Sequence, residues 1–265
     1  VGSEMCIRDS YKALVGEPSK RQKEAAELKS EIYTIWKESK SRYGAPKIKK
    51  VLESRGKKLS IKRVQRYMRQ LQIRSIVTKK FRYHSEKTVS GSRENVLNRD
   101  FTTTSINQKW CTDITYIHTI QDGWTYLASV MDFHSKKIIG YAYGTSMTAD
   151  LAVKAVQNAC LNVKNTANII LQTDLGTQYT SHVFEEYLQS KGIIHSFSRK
   201  GNPYDNACIE SFHSILKKEE VNHHKYYNFK VAQRAIFEYI ESWYNRKRIH
   251  SSINYMTPQA AHEVA

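Results

Sequence analysis

No stretch of the chain approaches the roughly 18 consecutive apolar residues of a membrane-spanning helix, and no segment sets a large apolar face against a basic one. A membrane partner is thereby set aside. Cysteine is scarce: Cys6, Cys111, Cys160 and Cys208 form no CxxC pair and have no histidine at metal-ligand spacing nearby. Neither a zinc site nor a disulfide framework is indicated, which fits a reducing cytoplasm. Internal repeats and low-complexity tracts are missing too, so no repeat architecture needs to be considered. Acids are the last shortage, with Asp+Glu 25 against Lys+Arg 42, a net charge of +17 and a pI near 9.6. Such a balance favours a polyanion, nucleic acid first, over an acidic small molecule.

The excess charge is local. Between Arg42 and Arg93 stand 17 basic residues and two acids, Glu53 and Glu86, so this stretch carries +15 of the net +17. The remainder is nearly neutral, as a domain with its own acidic site would be. A length of 265 residues accommodates one substantial core and a smaller module.

Residues 1–10, VGSEMCIRDS, can be encoded by a string that looks like a sequencing-library adapter ending in a transposon end. They are set aside from fold reasoning on that ground, the alternative being an ordinary disordered terminus. Residues 11–41 form an N-terminal helical segment in which Leu28, Ile32, Ile35 and Trp36 recur at helical spacing. Residues 42–75 read as a small all-α, helix-turn-helix-like module. Pro46 suits the start of a helix that Gly56 stops, and Ser60 is a good N-cap for the next. In that last helix Val64, Tyr67, Met68 and Leu71 face inward and Lys62, Arg63, Arg66 and Arg69 face out, as a recognition helix or as a merely solvated basic one. Residues 76–107 are aperiodic and basic, a linker able to lie along phosphates.

Residues 108–265 predict a second domain. Trp110–His118, Trp124–His134 and Lys137–Gly144 are β-rich runs separated by turn residues, an antiparallel meander. Then come a helix at Met147–Lys164, a strand at Ile169–Asp174, a helix at Ser181–Lys191 and a strand at His195–Ser198. A helix opening at Asn202-Pro203 runs to about Glu220, and another spans Phe229–Asn245. This order predicts an α/β fold, an RNase H-like mixed sheet with flanking helices.

Asp113 falls in mid-strand, where a carboxylate is a poor β-former and costs several kcal/mol unless compensated. Asp174 ends an apolar strand, the position where open α/β sheets place ligands, although a lone strand-end Asp is more often a turn former. Glu210 shares the polar stripe of its helix with Asn206, His213, Ser214 and Lys217. Lys217 stands seven residues on, roughly 10 Å along the same face. Alone, Glu210 would read as a solvated helix residue.

Together, Trp110-Cys-Thr-Asp-Ile-Thr-Tyr116, Thr173-Asp-Leu-Gly-Thr-Gln-Tyr-Thr-Ser181 and Ser198-Arg-Lys-Gly-Asn-Pro-Tyr-Asp-Asn-Ala-Cys-Ile-Glu-Ser-Phe-His-Ser-Ile-Leu-Lys217 resemble the three acidic motifs of OrfB-type transposases of the IS-three insertion-sequence family, relatives of retroviral integrases. The 35 residues between Asp174 and Glu210 match that group's interval. Tyr244-Asn-Arg-Lys-Arg-Ile-His250 and Tyr255-Met-Thr-Pro258 resemble its C-terminal end, and Tyr43-Gly44 through Ile73 its helix-turn-helix-like module. The sequence departs at Gln172-Thr173, often His-Ser in the family, and at Leu175, more usually polar.

The resemblance implies that Asp113, Asp174 and Glu210 are catalytic and bind two Mg²⁺ or Mn²⁺ ions, hard cations that take carboxylate oxygens. Water would be the nucleophile for cutting the element's ends and the freed 3′-hydroxyl for strand transfer. Lys200, Asn206 and Lys217 join the four cations of the basic helix as expected DNA contacts. Asp132 and Asp205 are more readily structural, and Arg246, Arg248 and His250 are phosphate contacts or scaffold. The expected partners are double-stranded DNA, a second copy of the chain on that DNA, and the product of an upstream reading frame as a frameshift fusion, in a bacterial, nucleoid-associated setting. Two alternatives remain at this point: a DNA-binding repressor or inactive remnant, and an RNase H-type nuclease that does not join ends.

Overall fold

A computed structural model of the chain describes residues 18–77, 95–98, 100–198 and 206–265. The chain divides into two compact units, Val1–Thr78 and Lys79–Ala265.

The first unit is built from α1 (Lys20–Glu38), α2 (Ala45–Ser54) and α3 (Ile61–Gln70), each packed on the other two. A capping box opens α1: the Ser19 hydroxyl accepts from the Gln22 N–H, and the Gln22 side chain accepts from the Ser19 N–H at 2.7 Å. Gly56 adopts φ +81°, a conformation open to glycine at little cost, just past the end of α2. Ser60 caps α3 by accepting the Arg63 N–H at 3.2 Å. Ile32, Ile48, Leu52 and Val64 are fully buried, and Tyr67 and Met68 nearly so. Leu71, expected inward, follows the last helical residue and is half-buried.

The second unit is a five-stranded sheet in the order β3-β2-β1-β4-β5, from β1 (Lys109–Thr119), β2 (Gly123–Asp132), β3 (Ile138–Gly144), β4 (Ile170–Thr173) and β5 (Ile194–Phe197). The first three strands are antiparallel, and β4 and β5 add in parallel. With helices on both faces, this is the expected RNase H-like arrangement. Alternation along the strands divides the core. Trp110 and Ile114 of β1 join Ala128 and Val130 of β2 in an apolar layer with α4 (Ala149–Cys160) and α5 (His182–Ser190). The opposite face receives α6 (Ala207–Glu219). Gly140 lets α4 lie directly on β3, since a Cβ there would come within 2.3 Å of the Ala159 nitrogen.

The expected helix at Met147–Lys164 is shorter in the structure. Thr148 caps it by accepting the Leu151 N–H, and beyond Cys160 its apolar face runs out, leaving Leu161 77% exposed. The helix α7 (Phe229–Phe237) continues into a π-helical turn, Glu238–Tyr244, that buries Tyr239, Ile240, Trp243 and Tyr244. Just past that turn, the buried Asn245 amide pairs with both backbone groups of Ile138 at the start of β3. The chain ends on α8 (Pro258–Glu263). Among the described residues, no helix is long and apolar enough to cross a membrane.

Candidate active site

Three elements meet at the acids. β1 carries Asp113, paired in register with Ser129 of β2. Asp174 follows the last residue of β4, and its Oδ1 accepts the Gly176 N–H at 2.9 Å. A Cβ at Gly176 would come within 2.3 Å of the Gln178 amide and 2.9 Å of the same carboxylate oxygen, so a larger residue there would displace both side chains. Glu210 lies in the first turn of α6, on its exposed side. Burial raises the Asp174 carboxyl above its usual range, and the charge of Asp113 raises it further. Glu210 is raised likewise, by burial and then by Asp113 and Asp174. The three carboxylates thus share one electrostatic environment although they come from a mid-strand, a strand end and a helix.

These donors suit a hard divalent cation: three carboxylates, with no thiolate or imidazole needed among the ligands. Among the described residues, no three His, Cys, Asp or Glu side chains stand close enough together to hold one ion as they are. The cysteines described are unbridged.

His213 was placed by sequence on the polar stripe with Glu210, without a role. It is buried against β1 and β2, its Nδ1 3.3 Å from Asp113 Oδ2 and its Nε2 3.4 Å from Ser129 Oγ. A neutral imidazole donating from Nδ1 and accepting the Ser129 hydroxyl at Nε2 would satisfy both contacts and fix the Asp113 carboxylate. The helical spacing of 210 and 213 was legible, but the partner across the sheet was not.

Lys217 lies two turns beyond Glu210 with its ammonium 4.2 Å above the Tyr116 ring. Burial lowers its pKa, and the Asp113 charge works against that shift. Its ammonium therefore lies within reach of the Asp113 charge. Two other expected contacts differ. Asn206 is buried at the start of α6, 5% exposed, so it presents no amide to a DNA groove. Lys200, like Asp205 and the expected helix opening at Asn202-Pro203, lies outside the described residues.

On the basic helix Lys62, Arg66 and Arg69 are exposed. Arg63 is a correction to the expected outer face. One turn before buried Tyr67, it donates to the Tyr67 hydroxyl and to Glu24 of α1, both at 3.0 Å, and so ties α3 to α1.

Asp132, Arg248 and His250 are structural, whereas Arg246 is exposed. Asp132 is fully buried and accepts from Ser135 N and Oγ at 2.7 and 2.8 Å and from Asn107 N at 2.8 Å, closing the turn after β2. Arg248 and His250 are buried scaffold. The Arg248 guanidinium donates to Glu219, near the end of α6, from Nε at 3.0 and 3.1 Å and pairs through Nη2 at 2.9 Å. Glu219 also accepts from the Tyr239 hydroxyl at 3.1 Å and Trp243 Nε1 at 3.0 Å. This buried knot clamps the helix that carries Glu210 and His213.

A five-stranded mixed sheet with helices on both faces has the architecture of a polynucleotidyl transferase core of the integrase type. Accordingly, one Integrase core domain family matches residues 104–203 and another residues 191–258, while an HTH-like domain family matches residues 22–81. The chain is 38% identical over 243 residues to the transposase for insertion sequence element IS904 of Lactococcus lactis subsp. lactis (strain IL1403), spanning 91% of this chain and 96% of that protein. It is 36% identical over 242 residues to the transposase InsF for insertion sequence IS3A of Escherichia coli (strain K12), spanning 91% and 84%. The insertion element IS600 uncharacterized 31 kDa protein of Shigella sonnei is 35% identical over 254 residues, spanning 96% and 93%. The chain belongs to the IS3 family of insertion-sequence transposases.

Proposed function

We propose that Asp113, Asp174 and Glu210 hold two Mg²⁺ or Mn²⁺ ions and that the chain uses them to cleave DNA at the ends of an insertion sequence and to join the freed 3′ ends to a target. The observation that carries this reading is that Asp174 and Glu210 are both raised beside the charge of Asp113. Burial and like charge both penalise their ionised forms, a cost relieved when a cation arrives from outside the chain. Bound there, divalent ions supply activation of the attacking oxygen and stabilisation of the leaving oxygen in an in-line phosphoryl displacement.

The chain's own groups prepare that reaction. β1 and the Gly176 turn fix two aspartates on rigid backbone, and His213 holds one oxygen of Asp113. Lys217 keeps an ammonium beside the acids for the phosphate flanking the scissile bond. Exposed Lys62, Arg66 and Arg69 suit the DNA backbone or base edges.

The test is single substitution. Asp113→Asn, Asp174→Asn and Glu210→Gln should each abolish end cleavage and strand transfer in Mg²⁺ while leaving end binding nearly intact, because phosphate contacts elsewhere persist. Near-wild-type cleavage by any one of them would remove that residue from the site.

A further inference from the structure

The edge of β1 beyond Asp113 carries a surface that, Lys217 apart, the proposed phosphoryl transfer does not use. Pairing with β4 stops at Cys111, and a single bridge to Tyr226 comes only at Thr119. Between them, among the described residues, no strand flanks that edge. A groove of about 530 Å³ lies there, lined by Tyr116, His118, Trp124, Lys217 and Lys225 among others. Tyr116 is 55% exposed and Trp124 54%. Trp124 stands edge-on to both neighbours, 5.2 Å from Tyr116 at 89° and 5.0 Å from His118 at 80°. All three sit on paired strands, which fixes the backbone from which the rings project.

Large aromatic rings left half in water, beside ammonium groups, have the two features that hold single-stranded nucleic acid: a face for a base and a charge for its phosphate. A duplex hides its base faces within its own stack, so such rings suit an unpaired base. A protein partner could also cover aromatic rings. The charge decides between them, because Lys217 and exposed Lys225 line the groove and none of its lining residues is a carboxylate.

We infer that this groove is a stacking platform for unpaired nucleotides of the reacting DNA strand, with bases against Tyr116 and Trp124 and phosphates against Lys217 and Lys225. It rests on the transposase reading above and adds to it a substrate form, a locally unpaired strand next to the metal-binding acids.

The test uses the full chain and a short duplex with an unpaired tail carrying 5-iodouracil, compared with the same duplex fully paired. Irradiation should place adducts on Tyr116 or Trp124 for the tailed duplex and not for the paired one. In binding, a tail with bases should be favoured over an abasic tail of equal length. Joint Tyr116→Ala and Trp124→Ala substitution should reduce that preference by about 5-fold or more, the effect of removing a stacked ring. Trp124→Phe should retain most of it. Adducts confined to other residues, or an unchanged preference for bases in the double variant, would overturn the platform while duplex binding and cutting left the transposase reading intact. If the wild-type chain neither bound nor cut duplex DNA, the transposase reading itself would fail. A double variant that sedimented as a smaller species with its base preference unchanged would make the surface a contact between copies and overturn the proposal. Should the double variant not fold, adduct mapping on wild type and Trp124→Phe decides alone.

Discussion

Replacing Glu219 by alanine should cost the second unit about 3–5 kcal/mol, the range for breaking a buried ion pair from one side. The magnitude follows from what is stranded. The Glu219 side chain is 3% exposed and that of Arg248 9%, so the guanidinium would remain in a nearly dry site with no anion. The Tyr239 hydroxyl and the Trp243 indole N–H would lose their acceptor as well, at about 1 kcal/mol each for an ordinary hydrogen bond. For a unit of this size, such a loss lowers the melting temperature by roughly 6–20 °C. Tryptophan fluorescence during thermal unfolding is the assay, since Trp243 itself bonds Glu219. Glu219→Leu combined with Arg248→Met should recover most of the loss, because no charge is then left buried. Cleavage by Glu219→Ala should also slow at temperatures where the variant stays folded, since α6 carries Glu210 and His213. A single-variant loss below about 1 kcal/mol would refute the reasoning and mean that apolar packing alone holds α6.

His213→Ala should weaken Mn²⁺ binding and lower the cleavage rate by about 10- to 100-fold, while His213→Gln, still able to donate to Asp113, recovers part of both. Calorimetric titration of the cation beside a cleavage assay checks this, and unchanged values in the alanine variant would reduce His213 to packing. Asp174 and Glu210 both have raised folded-state pKa values, so in cation-free protein their contribution to stability is full at acid pH and is lost as pH rises through those values. Divalent cation should accordingly raise the melting temperature more at about pH 8 than at about pH 5, and an equal or reversed gain would contradict the shared site. Among the cations of α3, replacing Lys62, Arg66 and Arg69 should flatten the slope of log K against log salt by about one unit for each DNA phosphate left unneutralised. Arg63→Ala should instead lower the stability of the helical unit and leave the slope nearly unchanged, and a slope change of similar size at all four would return Arg63 to the DNA-facing set.

The central sheet was legible because its strands are rich in β-branched and aromatic residues and are separated by turn residues, as at Gln121-Asp122-Gly123. The acids were legible as a set only through their motifs and interval, since each alone has a bland reading. What the sequence concealed lies across the fold. Arg63 sits at helical spacing among outward cations, but its i+4 neighbour is the buried Tyr67, and only tertiary packing against α1 brings Glu24 to it. Likewise the periodicity of α6 placed His213 near Glu210 and could not bring Ser129, 84 residues away, against its ring. Arg248 reads from the sequence as phosphate contact or scaffold alike, because its Glu219 partner is 29 residues distant.

The pairing of Asp113 with Ser129 has a consequence for how the sheet assembles. Side chains alternate faces, so a slip of one residue between β1 and β2 would turn the carboxylate into the apolar layer with Ala128, Val130 and Leu151 and bring Ile114 round beside His213. Burying that charge without a partner would cost several kcal/mol. The misaligned sheet is therefore penalised by the same residue that the aligned sheet needs. Asp113 acts as a proofreader of its own strand, selecting the correct alignment during folding before any ion or DNA is present.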